Sequence, residues 1–221
     1  MNSHPGTLGR KIGMSQVVAA DGTVTPVTVI EAKALVVGKR TQEQHGYDAL
    51  VLGFGERKAK HTSKPLAGQF AKAGVEPMRV TREFRCDAEY AAKYELGAEI
   101  KLDELFEPGQ FVDVRGVSRG RGFSGVMRRH NFRGSGRSHG AHEVKRHGGS
   151  IGTNMTPGRV FPGRKMAGQS GNKSVSVLNQ KIVQVLADKG LLLVHGGVPG
   201  ARNALVELRG AVKKRGGKPA A

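Results

Sequence analysis

Several residue types are scarce in this chain of 221 residues, and each scarcity excludes a class of protein. Tryptophan is absent, and Cys86 is the single cysteine, so no disulfide framework can form within one chain. No apolar run approaches the roughly 20 residues that a membrane-spanning helix requires. Residues 1–13 are polar and lack the apolar region of a signal peptide. We therefore expect a soluble intracellular protein with a reduced thiol.

The most informative scarcity is that of acidic residues between Arg115 and Lys173. This 59-residue segment contains 13 lysines and arginines, one acidic residue (Glu143), 14 glycines and no leucine. It holds about +12 of the formal net charge of +18. Only 8 of its residues are Leu, Ile, Val or Phe, which is too few to bury a core. The sequence therefore predicts a globular part and a basic segment that is stable only against a polyanion.

The composition of the basic segment favours nucleic acid over a membrane surface. Membrane binding needs a basic amphipathic helix, and 14 glycines in 59 residues disfavour any long helix. Ten of the 13 cations are arginine, whose planar guanidinium pairs with phosphate and stacks on bases. Duplex DNA is usually read by a recognition helix or ribbon, and the segment predicts neither. An irregular Arg/Gly segment is instead typical of binding to folded RNA.

Short strands are predicted on both sides of the basic segment, from alternating apolar residues and turn signals. The pair Asp21-Gly22 predicts a two-residue hairpin turn. Strands on both sides of one excursion favour a single small β-barrel. The predicted strands are 16–20, 24–30, 34–40, 47–54, 111–114, 174–177, 181–186, 191–195 and 204–208.

A mixed pattern between these strands predicts a small α/β insertion. It contains a helix over 65–73, a strand over 78–84, a helical turn over 87–94 and a short strand over 99–102. The predicted division of the chain is barrel in 1–55, insertion in 56–105, barrel strand in 106–114, basic arm in 115–173, barrel in 174–209 and basic tail in 210–221.

Two patterns in the basic segment match enzyme motifs without their required context. Gly120-x-Gly122-x-x-Gly125 matches the dinucleotide fingerprint, but residues 126–134 are too short and too basic for the packing helix. Gly136-x-Ser138-x-Gly140 matches the nucleophile elbow, but no apolar strand precedes it. With one acidic residue in the segment, catalysis by paired carboxylates is excluded there.

The histidines of the segment do not match a metal site. His147 lies one residue too far from His142-Glu143 for the helical zinc-protease motif. A structural zinc site would use cysteines, and none is near. We expect no metal and no cofactor, and we expect these histidines to donate hydrogen bonds to RNA or backbone.

A long stretch of the basic segment resembles a known signature. From Gly149 to Gly168 the chain reads GSIG, three further residues, TPGRVF, one residue and GRKMAG, and this is similar to the signature of the universal large-subunit ribosomal protein three family. Four other pieces agree: Gly9-x-Lys11-x-Gly13-Met14, Ser118-x-Gly120-Arg121-Gly122-Phe123-x-Gly125, Ser138-His139-Gly140, and Leu191–Val194 through Val198-Pro199-Gly200. The likeness extends over nearly the whole chain.

The resemblance implies a fold and a structural role. The implied fold is mainly β, a translation-protein-type six-stranded β-barrel with an α/β insertion and a long irregular basic arm. The implied function is that of a structural constituent of the large ribosomal subunit, in the cytoplasm within the ribosome, and not an enzyme. It would bind large-subunit (23S) ribosomal RNA, help nucleate assembly and contact large-subunit proteins fourteen and nineteen. It implies no membrane and no small-molecule substrate.

The residues expected to bind RNA are the 13 cations, three of the four histidines and one asparagine of the basic segment: Arg115, Arg119, Arg121, Arg128, Arg129, Arg133, Arg137, His139, His142, Lys145, Arg146, His147, Asn154, Arg159, Arg164, Lys165 and Lys173. The resemblance implies that the tip of the arm approaches the peptidyl transferase centre. The tip residues would be Gly149, Ser150, Ile151, Gly152, Thr153, Asn154 and Met155.

One position departs from the family pattern. Some bacterial members carry a glutamine that is methylated on its side chain where this chain has Thr153. Threonine has no amide nitrogen to methylate, so we expect this modification to be absent. Two other classes stay open at this point: an enzyme acting on RNA, and a nucleic-acid chaperone without a fixed complex.

Overall fold

A computed structural model describes residues 5–136, 138–140 and 142–214, which divide into two compact units. The first unit comprises residues within 1–117 and 174–221, and the second comprises residues within 118–173. The strands are β1 (Gly6–Val18), β2 (Val24–Glu31), β3 (Leu35–Arg40), β4 (Ala49–Glu56), β5 (Met78–Arg85), β6 (Phe111–Val117), β7 (Phe123–Ser124), β8 (Gly168–Gln169), β9 (Ser174–Leu186), β10 (Leu191–His195) and β11 (Leu205–Gly210). The α-helices are α1 (Gln42–His45), α2 (Lys64–Lys72), α3 (Ala88–Ala92), α4 (Leu102–Leu105) and α5 (Val126–His130), and short 3₁₀ turns lie at Ala59–His61, Glu143–Arg146 and Ala187–Lys189.

Six antiparallel strands of the first unit form one closed sheet in the order β1-β11-β6-β9-β10-β2, with β2 paired back to β1. The expectation of a mainly β chain with a six-stranded sheet is thus confirmed. Because the sheet is closed, each of its six strands is paired on both sides. The sheet therefore has no long exposed edge to which a strand of another chain could add.

The interior of this sheet is built from side chains that alternate along each strand. In β6, Val112, Val114 and Gly116 are buried while Arg115 and Val117 are exposed. Leu192 and Val194 of β10 belong to the same core cluster as the two β6 valines, and both are fully buried. Period-two alternation places every second side chain on the inner face, so the strand pattern of the sequence becomes one continuous apolar core.

Strands β3, β4 and β5 form a separate three-stranded sheet in that order. The prediction placed all of residues 1–55 in the barrel, but β3 pairs with β4 and β4 pairs with β5, and neither pairs with a strand of the closed sheet. The run from Ala49 to Gly53 is buried at every position, so β4 is covered on both faces. Its apolar residues predicted a strand, but a period of two does not specify which strand is the partner.

The two faces of the three-stranded sheet pack against different neighbours. On one side Leu50, Leu52 and Phe84 share a core cluster with Leu8 of β1. On the other side Phe70 of α2 packs with Val37 and Met78. The short strand predicted over 99–102 is reduced to one bridge between Leu35 and Glu99, because Leu102 already begins α4.

The hairpin predicted at Asp21-Gly22 is present, but its loop has three residues instead of two. The Gly22 N–H donates to the Ala19 carbonyl at 2.9 Å, and the Ala19 N–H donates to the Thr23 carbonyl at 3.0 Å. Gly22 adopts a φ of 80°, the left-handed conformation that such a three-residue loop requires at its last position. The Asp21 carboxylate also accepts from the Thr23 N–H at 2.9 Å.

The two strands predicted over 174–177 and 181–186 are one 13-residue strand, β9. Asn179 has a φ of 57°, and the β6–β9 register shifts between Val112 and Val114. The Asp113 carboxylate accepts from the Asn179 N–H at 2.9 Å, which satisfies a donor at this irregularity. The bulge reverses the alternation of side chains, and the sequence pattern therefore reads as two strands.

Removal of core volume from the closed sheet should destabilise the first unit alone. Leu192 is fully buried, and we expect Leu192→Ala to lower the free energy of unfolding by about 2–5 kcal/mol. Phe161 of the second unit is 60 % exposed, so Phe161→Ala should change it by less than about 0.5 kcal/mol. Urea denaturation followed by far-ultraviolet circular dichroism measures both. A Phe161→Ala effect as large as that of Leu192→Ala would contradict the division into a cored unit and a coreless one.

Candidate nucleic-acid interface

The second unit is closed at its base by a ladder between residues 118–124 and 168–173. The Ser118 N–H donates to the Lys173 carbonyl at 2.9 Å, and the Arg121 N–H donates to the Ser170 carbonyl at 2.8 Å. Strands β7 and β8 continue this pairing, with Phe123 opposite Gln169. Both ends of a 56-residue excursion are thus held side by side by backbone hydrogen bonds.

Gly171 is required by the geometry of this ladder. Its φ is 70°, in the left-handed region that favours glycine, and a Cβ atom at this position would collide with the backbone carbonyl of Arg119. The glycine therefore allows the two chain segments to approach more closely than any other residue would. Here the high glycine content of the segment has a specific structural cause.

A second set of contacts joins α5 to the segment around Met166. The Arg129 guanidinium donates to the Met166 carbonyl at 2.6 Å, and His130 Nε2 lies 3.1 Å from the same oxygen. Asn131, with a φ of 59°, ends the helix and donates its N–H to the Met127 carbonyl at 2.9 Å. Arg129 was predicted only as an RNA ligand, but it also has this internal role. His130 was not among the predicted site residues.

Residues 149–166 form a loop that is fixed by local hydrogen bonds. The Arg164 guanidinium donates to the Ser150 carbonyl, and the Thr153 hydroxyl donates to the Thr156 carbonyl at 2.7 Å. The Ser150 hydroxyl donates to the Gly152 carbonyl at 2.7 Å. An open groove of about 650 Å³ is lined by 149–154 and 158–160. The predicted tip residues therefore share one local structure, and Met155 at their end is 87 % exposed.

The second unit has no hydrophobic core among its described residues, of which Ser124 alone is buried. Phe123 is 80 % exposed, and Ile151, Phe161 and Met155 are also exposed. The three core clusters all lie in the first unit. Burial of apolar surface is the main favourable contribution to folding, so this unit lacks much of that contribution and is held by hydrogen bonds such as those of its base ladder.

The cations of the second unit are not neutralised within it. None of the eleven lysines and arginines described there forms an ion pair, whereas Arg10, Arg40, Arg82 and Lys101 of the first unit are each paired with a glutamate. Arg129 and Arg164 donate to backbone carbonyls, and neither acceptor carries a charge. The eleven cations are Arg119, Arg121, Arg128, Arg129, Arg133, Lys145, Arg146, Arg159, Arg164, Lys165 and Lys173. Their charge is available to an external polyanion.

The remaining predicted site residues are placed as follows. Arg115 lies in β6 of the first unit, where its Nε donates to the Ser174 hydroxyl at 2.9 Å, so the basic unit begins three residues later than predicted. His139, His142, His147 and Asn154 are exposed in the second unit. Arg137 lies outside the described residues.

The structure gives the enzyme-like motifs no support. The helix after Gly125 has five residues, which is too short to pack as the dinucleotide motif requires.

Burial raises the pKa of Cys86 to about 11, so this thiol is protonated at neutral pH and unsuited to nucleophilic attack. In the part of the chain that is described, no three metal-ligating side chains cluster, and none of the helices there has the length and hydropathy needed to cross a bilayer.

A closed β-sheet unit joined to a unit with unneutralised cations and no fully buried hydrophobic side chain among its described residues is typical of proteins that bind a polyanion. The sequence profile of ribosomal protein L3 matches residues 85–190. The chain is 58 % identical to the large ribosomal subunit protein uL3 of Sorangium cellulosum over 99 % of this chain and 94 % of the relative. Proteins of the same name from Leifsonia xyli and Thioalkalivibrio sulfidiphilus are 50 % and 49 % identical, over 94 % and 96 % of this chain and 94 % and 99 % of each relative.

The chain belongs to the ribosomal protein L3 family. Members of this family are structural proteins and not enzymes. The family resemblance inferred from residues 149–168 and from the four shorter pieces is thereby confirmed.

Proposed function

We propose that this chain is a structural constituent of the large ribosomal subunit and binds large-subunit RNA directly through residues 118–173. One observation carries the proposal: eleven described cations, without an acidic partner, lie on a unit in which no described hydrophobic side chain is fully buried. A unit of this kind gains most from phosphate, which neutralises its charge and replaces its missing core with contacts. The relatives bear the name of a large-subunit protein, which supports this partner.

The second unit acts as an arm whose order is completed by RNA. Fixing the backbone of one residue costs about 1–2 kcal/mol of conformational entropy, and the arm has no core to offset that cost. Neutralisation of many phosphates must offset it instead. We therefore infer that the arm binds an RNA that is largely formed, as in assembly of the subunit, where this protein would help nucleate folding.

Residues Gly149–Met155 form the arm tip, which approaches the peptidyl transferase centre. The stretch from 148 to 158 contains no charged residue, although Arg146 precedes it and Arg159 follows it. Small and neutral residues suit close approach to bases and sugars, while the flanking arginines suit phosphates. Thr153 donates its hydroxyl to Thr156, and methylation of a glutamine amide is not available at this position.

The closed six-stranded sheet acts as the scaffold of this arm, in the manner of the barrels of translation proteins. Large-subunit proteins fourteen and nineteen are its expected neighbours, in the cytoplasm within the ribosome. This part of the proposal rests on family membership. Cross-linking of assembled subunits followed by mass spectrometry tests it, and the absence of cross-links to either protein would contradict it.

Co-sedimentation with the large subunit through high salt tests the central proposal. If about eight cations meet phosphates, log affinity for the RNA should fall with log salt at a slope of roughly −6 to −7. Replacement of Arg119, Arg128 and Arg133 by glutamine should reduce the magnitude of this slope by about 2–3 and release the protein at lower salt. The wild-type protein should stay bound in the high-salt wash.

The matched control replaces Lys93, Lys181 and Lys189 of the first unit by glutamine, because all three are exposed, none of them forms an ion pair in the described part of the chain, and the charge change is equal. This variant should bind as the wild type does. Release of the wild-type protein by high salt would contradict a fixed structural role and favour a nucleic-acid chaperone.

Substitutions at the tip should alter the response of ribosomes to drugs that bind the peptidyl transferase centre. We expect Ile151→Ala and Thr153→Ala to change the inhibitory concentration of such drugs several-fold, because the tip would then pack differently against the RNA beside the centre. The measurement is cell-free translation with mutant ribosomes, and Lys189→Gln serves as the control. Unchanged sensitivity in both tip variants would contradict this location of the tip.

A further inference from the structure

A second run of positive charge lies in the first unit, from the residue after β4 to the first residue of α2. Residues 57–64 include four cations, Arg57, Lys58, Lys60 and Lys64, together with His61 and no acidic residue. We call these five residues the insertion patch. The nearest acidic residues in sequence are Glu56 before it and Glu76 after the helix. Its density, four cations in eight residues, exceeds that of any stretch of equal length in the second unit.

The backbone of the insertion patch is held in place by hydrogen bonds. The Arg57 N–H donates to the Pro77 carbonyl at 2.9 Å, which ties the start of the patch to the residue before β5. His61 and Thr62 donate to Lys58 and Ala59 at 3.0 Å in a 3₁₀ turn, and the Thr62 hydroxyl also donates to the Lys58 carbonyl at 3.3 Å. Helix α2, which follows, is anchored by buried Phe70.

The charged side chains of the insertion patch are exposed to solvent and are not neutralised by acidic residues. All five residues are exposed, and within the described residues none of them forms an ion pair or a side-chain hydrogen bond. Four other cations on this unit, at Arg10, Arg40, Arg82 and Lys101, are paired with glutamates. The patch is therefore a site of uncompensated charge on a unit whose surface is otherwise partly neutralised.

The surroundings of the patch favour a polyanion over an anionic membrane. Among described residues from 56 to 77, Leu66 is the single exposed large hydrophobic side chain, at 37 %. Membrane association of a basic segment needs an apolar face as well as charge. The chemistry of the patch is that of phosphate recognition alone.

We propose that the insertion patch is a second RNA-binding surface, which contacts the phosphate backbone separately from residues 118–173. The choice of RNA as the polyanion rests on the proposed function, but the site itself does not. The patch and the arm differ in how they bind. The patch is fixed by the hydrogen bonds of its turn and by the core beneath α2, so it binds without the ordering cost that the arm incurs. It would therefore hold the chain on RNA before the arm is in place.

Binding of the full-length protein to deproteinised large-subunit RNA, measured between 50 and 200 mM salt, tests this site. Replacement of Lys58, Lys60 and Lys64 by glutamine should reduce the magnitude of the salt slope by about 2–3. Over this fourfold range the wild type should then lose roughly 20–40-fold more affinity than the variant. The same three substitutions added to the Arg119, Arg128 and Arg133 variant should reduce the slope by a similar further amount, since separate surfaces contribute additively.

The controls separate failure of this site from failure of the proposed function. Glutamine at Lys93, Lys181 and Lys189 should leave the slope unchanged, and arginine in place of the three patch lysines should restore it. An unchanged slope in the patch variant, with tight binding by the wild type, would overturn the second site alone. If the patch and control variants change the slope equally, the effect comes from net charge alone, and this result also overturns the second site.

Two further outcomes are informative. If the wild type itself fails to bind the RNA at 200 mM salt, this result contradicts the proposed function and, with it, the proposal that the patch binds RNA. If the patch substitutions abolish binding to vesicles of phosphatidylglycerol but leave RNA binding unchanged, the patch is a membrane-binding site and the proposal is wrong. Because the substituted side chains are exposed, the midpoint temperature of thermal unfolding should be the same as in the wild type.

Discussion

Unneutralised positive charge in residues 118–173 limits how this unit can be stabilised. Eleven described lysines and arginines are in that unit, and Ser124 is its single buried residue in the described part. Neither burial nor internal ion pairs offset the charge there, so the unit is held by a backbone ladder at its base, and we propose that a polyanion supplies the remaining stabilisation. Glycine at 171 is one consequence, because the ladder needs a close approach that a Cβ atom would prevent.

The first unit supplies what the second lacks. Its closed sheet and the three-stranded sheet beside it bury all three core clusters. Ion pairs such as Arg82–Glu207, at 3.1 Å, join β5 to β11 and neutralise part of its surface. The first unit is therefore stable through its own core, and the second unit does not have to provide one. For this reason the apolar residues and most of the net charge lie in different parts of the sequence.

Much of this arrangement was predictable from local patterns, and the failures have specific causes. The alternation around Val112 and the apolar run at Leu191–Val194 predicted β6 and β10, because one buried face imposes a period of two. The pairing of β4 with β5 was missed, because pairing depends on contacts far apart in sequence. The internal hydrogen bond of Arg129 was missed for the same reason. The run at 57–64 was visible in the sequence, but residues 115–173 hold most of the net charge, and the predicted binding residues were all taken from them.

Hydrogen exchange of the free protein, compared with the RNA-bound protein, measures whether the order of residues 118–173 depends on RNA. Buried strand residues such as Val114 and Leu192 should exchange slowly in both states. Amides of residues 118–173 should exchange rapidly in the free protein and become protected when large-subunit RNA is bound, with Arg121 and Ser170 in the base ladder as the reference positions. Slow exchange throughout 118–173 without RNA would show that the unit is stable alone, and would contradict the claim that its order depends on a polyanion.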